Sequence, residues 1–219
     1  MITIATAECF THGFIAHELH VLAQGYKDKF GSNFEDLINS IIQDYVEDKS
    51  DINKKSNSEY NSQYNSEYNS ENELSTFNFD DLSVISGMFI PTLTAVYNIL
   101  KIKDPIEPIS LIKDIKVYNT DDDRKMAIKM AEAVRNLSCS DIGIGTTAGI
   151  GYGGIAIVDK DMIIVTSSDV YANLIECKSD DLYNRQINAI KKTLRIFIYY
   201  LNKDFEKINS LNNVEIIYK

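Results

Sequence analysis

No stretch of this sequence approaches the roughly 20 consecutive apolar residues that a membrane-spanning helix needs, so no such helix is expected. The opening, MITIATAECF, lacks a basic leading region and its apolar run is brief, so no signal peptide is expected and the cytoplasm is the expected compartment. Basic residues are in deficit: 22 Lys and Arg stand against 32 Asp and Glu, a net charge of −10 with a pI near 4.8. Such a field opposes nonspecific attraction to nucleic acid or anionic membranes, and neither is expected as a partner. Cysteine is scarce, and the odd set of Cys9, Cys139 and Cys177 at wide spacing argues against a disulfide framework. Free thiols are expected. There is no Gly-Lys-Ser/Thr, so the phosphate loop of that type is excluded.

What is present reads as an ordinary globular chain: 219 residues, 44% hydrophobic and 25% charged, enough for one α/β domain with a substantial core. Residues 2–7, ITIATA, are apolar and rich in β-branched side chains, as a buried strand requires. Residues 11–24 place Phe14, Ile15, Leu19, Val21 and Leu22 at helical spacing, with Thr11 as the expected N-cap. A second helix is predicted over 34–47. Residues 50–76 contain NSEY-NSQY-NSEY-NSE, a four-residue repeat of poor helix formers whose only apolar residue is Tyr. It is expected to be a low-complexity insertion, solvated and disordered. Residues 79–102 are predicted as a long helix divided or kinked at Pro91. A short strand is expected within 109–118, a helix over 121–137 with acids in its first turn, and a strand over 141–147. IAIV and MIIVT flank Asp159-Lys160-Asp161 as a β-hairpin. A helix over 180–206 and a closing strand complete a mixed β-sheet flanked by helices.

Two elements carry possible chemistry. TAECFTHG (6–13) sets Cys9 and His12 at a strand-to-helix turn. Unpaired amides and the positive end of a helix there would favour thiolate over thiol. A small buried thiol at a capping turn is an equally simple reading. All three histidines, His12, His17 and His20, lie near Cys9, but one helix does not easily gather them around a single ion, so zinc is the weaker alternative. The second element is GIGTTAGIGYGG (143–154), whose glycines admit close approach of a ligand and whose Thr146 and Thr147 supply hydroxyls. A hairpin follows it, so the dinucleotide-binding fingerprint fails; a tight strand connection is the simpler reading. Cys139 and Cys177 are expected to be packing residues.

The two elements together resemble the CinA C-terminal, nicotinamide-mononucleotide-amidase type of domain. Ala7, Glu8, Thr11 and Gly13 fit its first motif, with His12 replacing a glycine, and Asp141, Gly143, Ile144, Thr147, Gly149, Gly153 and Gly154 fit its second. Across nearly the whole chain, ITIATAECFTHGFIAHELH and the glycine loop resemble HcgF, a family of methanogenic archaea acting in biosynthesis of the iron-guanylylpyridinol (FeGP) cofactor of [Fe]-hydrogenase. That resemblance implies a CinA C-terminal-like fold. It also implies binding of guanylylpyridinol and capture of its carboxyl group as a thioester on Cys9, after activation by an E1-like adenylating enzyme of the same pathway. His12 is then the expected catalytic neighbour. Thr6, Glu8, Thr11, Gly13, Thr146, Thr147, Gly149, Gly151, Gly153 and Gly154 are expected around the substrate. A homo-oligomer is expected, with no metal and no tightly bound cofactor. The alternatives are a CinA-like amidohydrolase acting on a nucleotide and a noncatalytic Cys/His metal-binding module.

Overall fold

A computed structural model describes residues 1–43, 79–176 and 178–219. The insertion at 50–76, the end of the helix expected over 34–47 and Cys177 lie outside the described residues. In chain order the elements are β1 (Ile2–Glu8), α1 (Phe14–Ala23), α2 (helical at 35–43), β2 (Leu82–Phe89), α3 (Leu93–Asn98), β3 (Ser110–Ile112) and β4 (Ile115–Val117). There follow α4 (Thr120–Ser138), β5 (Ile142–Thr147), β6 (Ile150–Gly151), β7 (Gly154–Val158), β8 (Met162–Thr166), β9 (Ala172–Asn173), α5 (Ser179–Leu201), α6 (Phe205–Asn209) and β10 (Glu215–Tyr218).

The main sheet has six strands in the order β10-β8-β7-β5-β1-β2. β2, β1 and β5 run parallel, and β7, β8 and β10 join antiparallel. Alternation along the strands decides which helix each face receives. Ile4, Ile142, Ile144 and Ile157 pack with Ile15 and Leu19 of α1, Ile38 and Ile41 of α2, and Ile190, Leu194 and Phe197 of α5. At about 1.5–3 kcal/mol for each fully buried side chain, this face outweighs surface ion pairs such as Lys125–Asp122, each worth about 0–1 kcal/mol.

The opposite face is built from small residues. Ala5 and Ala7 of β1 meet Met126, Met130 and Val134 of α4, and Ala156 of β7 meets Ala127 and Ala131. A Cβ at Gly143 would strike the backbone oxygen of Ala131, and one at Gly145 that of Ala127. These glycines therefore admit a helix, not a ligand, which corrects the expectation that they form part of a ligand loop. Asn119 caps α4 by accepting from Asp122 N at 2.9 Å, and Asp121, Asp122 and Asp123 fill its first turn.

Residues 79–102 depart from the long helix expected there. Residues 82–89 form an edge strand pairing with β1, preceded by a 3-10 turn over Phe79–Asp81, and only Leu93–Asn98 are α-helical, with Thr92 as N-cap. Apolar side chains on both faces of β2 imitate a helical pattern. Gly87, whose added Cβ would come within 2.6 Å of Ala16 Cβ, marks a strand pressed against α1. Pro91 separates strand from helix. Among the described residues the other predicted elements appear, with the one short strand expected within 109–118 present as the pair β3 and β4 and the helix expected over 180–206 divided into α5 and α6. Cys139 is not a packing residue: it is exposed and ends α4 in the left-handed region at φ 50°.

Candidate active site

β1, β2 and β5 all end at one edge of the sheet, and the chain leaves each of them there. In open α/β sheets that edge, beyond the carboxyl ends of parallel strands, is where ligands bind. Here it carries Cys9 after β1, Phe89 and Pro91 at the end of β2, and Ala148 after β5, all lining one cavity of about 400 Å³. The first turns of α5 close its far side with Ser179, Leu182, Tyr183, Arg185 and Gln186.

The turn bearing Cys9 is held from beneath by Glu8. This side chain is fully buried, and each oxygen accepts twice: Oε1 from Thr6 Oγ1 (2.9 Å) and Ala16 N (2.8 Å), Oε2 from Thr11 Oγ1 (2.7 Å) and Ile15 N (3.1 Å). Thr11 is thus not the N-cap. Gly13 takes that position at φ 85°, where a residue without Cβ is least strained, and Glu8 satisfies the free amides of α1. Those amides point at Glu8 and not at Cys9, so the helix end does not serve the thiol in the way the strand-to-helix spacing suggested.

The hydroxyl directions follow. Thr11 donates to Glu8 and so accepts from Thr146 Oγ1, 2.7 Å away. Thr146 Oγ1 in turn accepts from Cys9 N at 3.3 Å, and the Thr146 carbonyl accepts from the same N–H at 3.0 Å. A polar chain therefore fixes the Cys9 backbone to both β5 and α1, leaving its side chain, 5% exposed, at the cavity wall.

His12 also lines the cavity, at a left-handed φ of 54°. Gln186 Nε2 donates to its Nδ1 at 3.1 Å, and Phe89 meets the ring edge-on with centroids 5.3 Å apart. With Nδ1 accepting, the neutral imidazole carries its proton on Nε2. The three histidines do not converge: His17 Nδ1 contacts Glu18 at 3.3 Å, and His20 lies against Tyr26. Among the described residues no cluster of three or more His, Cys, Asp or Glu side chains is placed to hold a metal ion.

The glycine-rich segment is tied into the fold rather than open. Gly149 N donates to Asp123 Oδ2 at 2.8 Å, Ile150 N to the Tyr118 carbonyl at 2.7 Å, and Tyr152 N to Thr120 Oγ1 at 3.0 Å. A Cβ at Gly149 would meet the backbone of Tyr118, and one at Gly154 that of Asp123. Gly151 pairs with Ala172 across β6 and β9, and Gly153 packs on Ala148. Asp123 is fully buried, and burial pushes its carboxyl up to about 7 against the opposing pull of Gly149 N–H, Arg185, Thr147 and Lys116. Asp123 Oδ1 and Thr147 Oγ1 nonetheless lack a well-formed hydrogen bond.

Of the residues singled out in the sequence, Cys9 and His12 reach the cavity. Thr6, Glu8, Thr11 and Thr146 form the buried scaffold under the turn, Gly13 begins α1, and Thr147 with Gly149, Gly151, Gly153 and Gly154 shapes the adjoining strand connection. Sequence reasoning missed Arg185 and Gln186. One signal was available: Arg185 stands four residues before Ala189 and eight before Thr193, on the buried stripe of an amphipathic helix where a charge is unexpected.

A family model described as FeGP cofactor biosynthesis protein HcgF matches residues 1–56 and 49–201. A UPF0254 protein of Methanothermobacter thermautotrophicus strain Delta H is 34% identical over 201 residues, spanning 92% of this chain and 99% of its own. UPF0254 proteins of Methanopyrus kandleri (34% over 209 residues, 95% and 92% of the two chains) and Methanocaldococcus jannaschii (34% over 208 residues, 94% and 99%) are similar throughout.

Proposed function

The chain belongs to the HcgF family of FeGP cofactor biosynthesis proteins, and from that premise we propose that Cys9 accepts the activated carboxyl group of guanylylpyridinol and carries it as a thioester. The observation behind this reading is the placement of Cys9: a thiol at the wall of a cavity beyond three parallel strand ends, its backbone fixed by the Glu8–Thr11–Thr146 chain. Phe10, Phe89, Pro91, Ile115, Leu174 and Leu182 make the walls largely apolar, which suits a flat heteroaromatic ring.

A thiolate does not usefully displace oxide from a carboxylate. The acid must first be converted to an acyl-adenylate, the work of an adenylating partner. The Cys9 sulfur then forms a bond to the acyl carbon, the carbon–oxygen bond to phosphate breaks, and AMP leaves with that electron pair. The thiol proton passes to solvent or to the departing phosphate. His12, with Nε2–H presented by the Gln186 contact, serves as a donor to the ligand or to that phosphate. Thr6, Glu8, Thr11, Gly13 and Thr146 act from below by fixing the turn. Thr147, Gly149, Gly151, Gly153 and Gly154 act by shaping the wall beside the guanylyl group.

Intact-mass spectrometry tests this with guanylylpyridinol, ATP and the adenylating enzyme. The expected result is a single adduct on the wild-type protein that is absent from Cys9→Ala. Unmodified wild-type protein under all conditions, above all with ammonia released from a nucleotide amide, contradicts it.

A further inference from the structure

Arg185 is buried to 2% exposure, and a guanidinium taken out of water needs acceptors. One of its nitrogens is fully met: Nη1 donates to the carbonyls of Gly149 (3.0 Å), Gly151 (3.0 Å) and Ala172 (2.9 Å). Nε is sealed in the interior with no acceptor. Nη2 makes no hydrogen bond among the described residues, yet it is not sealed, and Arg185 lines the Cys9 cavity. Of the three guanidinium nitrogens, Nη2 is therefore the one that is neither sealed nor spent, with two donors to offer.

Its surroundings hold the group in place and leave its charge partly uncompensated. Phe10 covers the guanidinium from one side, its ring centroid 5.6 Å from Cζ. Burial lowers the pKa of Arg185, and Asp123, Cys9 and Tyr171 oppose that shift. Burial raises the carboxyl of Asp123, the first of these partners, to about 7, so near pH 7 it carries only part of its charge. If Arg185 served only to tie three carbonyls together, the three donors of a lysine would suffice. The planar fork brings a further edge, on a side chain that lines the same cavity as Cys9.

We propose that Arg185 Nη2 is the donor that receives the acyl oxygen during transfer to Cys9, an oxyanion-binding role that rests on the acyl-transfer reading above. As sulfur adds to the acyl carbon, the carbonyl π electrons move onto oxygen, and Nη2–H donates to the charge that forms. When that charge returns, the bond to the phosphate oxygen breaks and AMP departs with the electron pair; the thiol proton is lost to solvent or to AMP. The donor is fixed beforehand by the Nη1 bonds, so little reorganisation accompanies the reaction.

The test compares Arg185→Lys with wild type in two reactions of Cys9. One is acylation by a pyridinecarbonyl adenylate, in which an oxyanion develops. The other is alkylation by iodoacetamide, a displacement that develops none. The expected result is acylation slower by about 10²–10³-fold, with alkylation changed by no more than about threefold because the nearby positive charge is kept. Acylation at the wild-type rate overturns the proposal, as does an equal fall in both reactions. If wild-type Cys9 is acylated by neither this adenylate nor that of guanylylpyridinol, the acyl-transfer reading falls and this inference with it. Should Arg185→Lys fail to fold, the structure of acylated wild-type protein decides. An acyl oxygen about 2.7–3.2 Å from Nη2 supports the assignment, and one bonded to another donor overturns it.

Discussion

Replacing Glu8 with Gln tests the scaffold beneath Cys9 with almost no change in shape. Each Glu8 oxygen accepts one hydroxyl and one helix amide. Whichever way a glutamine amide is turned, its NH₂ faces one of those pairs. The threonine hydroxyl can rotate and become an acceptor, but the peptide N–H of Ile15 or Ala16 cannot. One buried backbone donor is then stranded, at a cost of about 1–3 kcal/mol. Loss of negative charge at the start of α1 adds about 0.3–1 kcal/mol. The sum, about 1–4 kcal/mol, corresponds to a fall of roughly 3–16 °C in melting temperature for a chain of this length. Urea denaturation followed by circular dichroism should show a lower midpoint with an unchanged slope. Amide exchange should localise the loss to Ile15 and Ala16. A midpoint equal to wild type, within about 0.5 kcal/mol, refutes the role given to Glu8.

Three further outcomes are expected. Gly145→Ala drives a methyl into the Ala127 carbonyl of α4 and should cost about 3 kcal/mol or more in a urea titration; a neutral result means that α4 does not rest on the sheet as described. Asp123 contributes a pH dependence of known sign: a carboxyl raised from 3.8 to about 7 makes stability greatest below pH 4 and progressively lower until pH 7. Asp123→Asn should therefore gain on wild type across that interval, by up to about 4 kcal/mol above pH 7, and a gap that does not vary with pH argues against it. Gln186→Leu frees the His12 ring and should slow Cys9 acylation on the order of tenfold while leaving the melting temperature nearly unchanged; an unaltered rate removes His12 from the reaction.

Periodicity was a sound guide wherever one face alone is buried. α4 follows its acidic first turn and apolar stripe, and the β7–β8 hairpin follows its alternation around Asp159-Lys160-Asp161. It misled over residues 82–89, because β2 is an edge strand with apolar groups on both faces and imitates a helix. Cys9 and His12 were legible because strand, turn and helix are contiguous in the chain. The meaning of Glu8 was not, since its four donors come from both sides of the turn and its role is to cap the start of a helix that begins six residues later. Gly143 and Gly145 read as ligand-facing because spacing alone does not say which neighbour a missing Cβ admits. Arg185 lies 176 positions from Cys9, and only the packing of α5 over the strand ends brings the two into one cavity.

The central claim, that Cys9 is the acyl acceptor, is tested most directly by locating the adduct. Wild-type protein is incubated with guanylylpyridinol, ATP and the adenylating enzyme, digested, and its cysteine-containing peptides are sequenced by mass spectrometry with and without hydroxylamine. The expected result is the pyridinol acyl group on the peptide bearing Cys9, released by hydroxylamine, with Cys139 and Cys177 unmodified. An adduct on either of those cysteines, one stable to hydroxylamine, or none at all contradicts it.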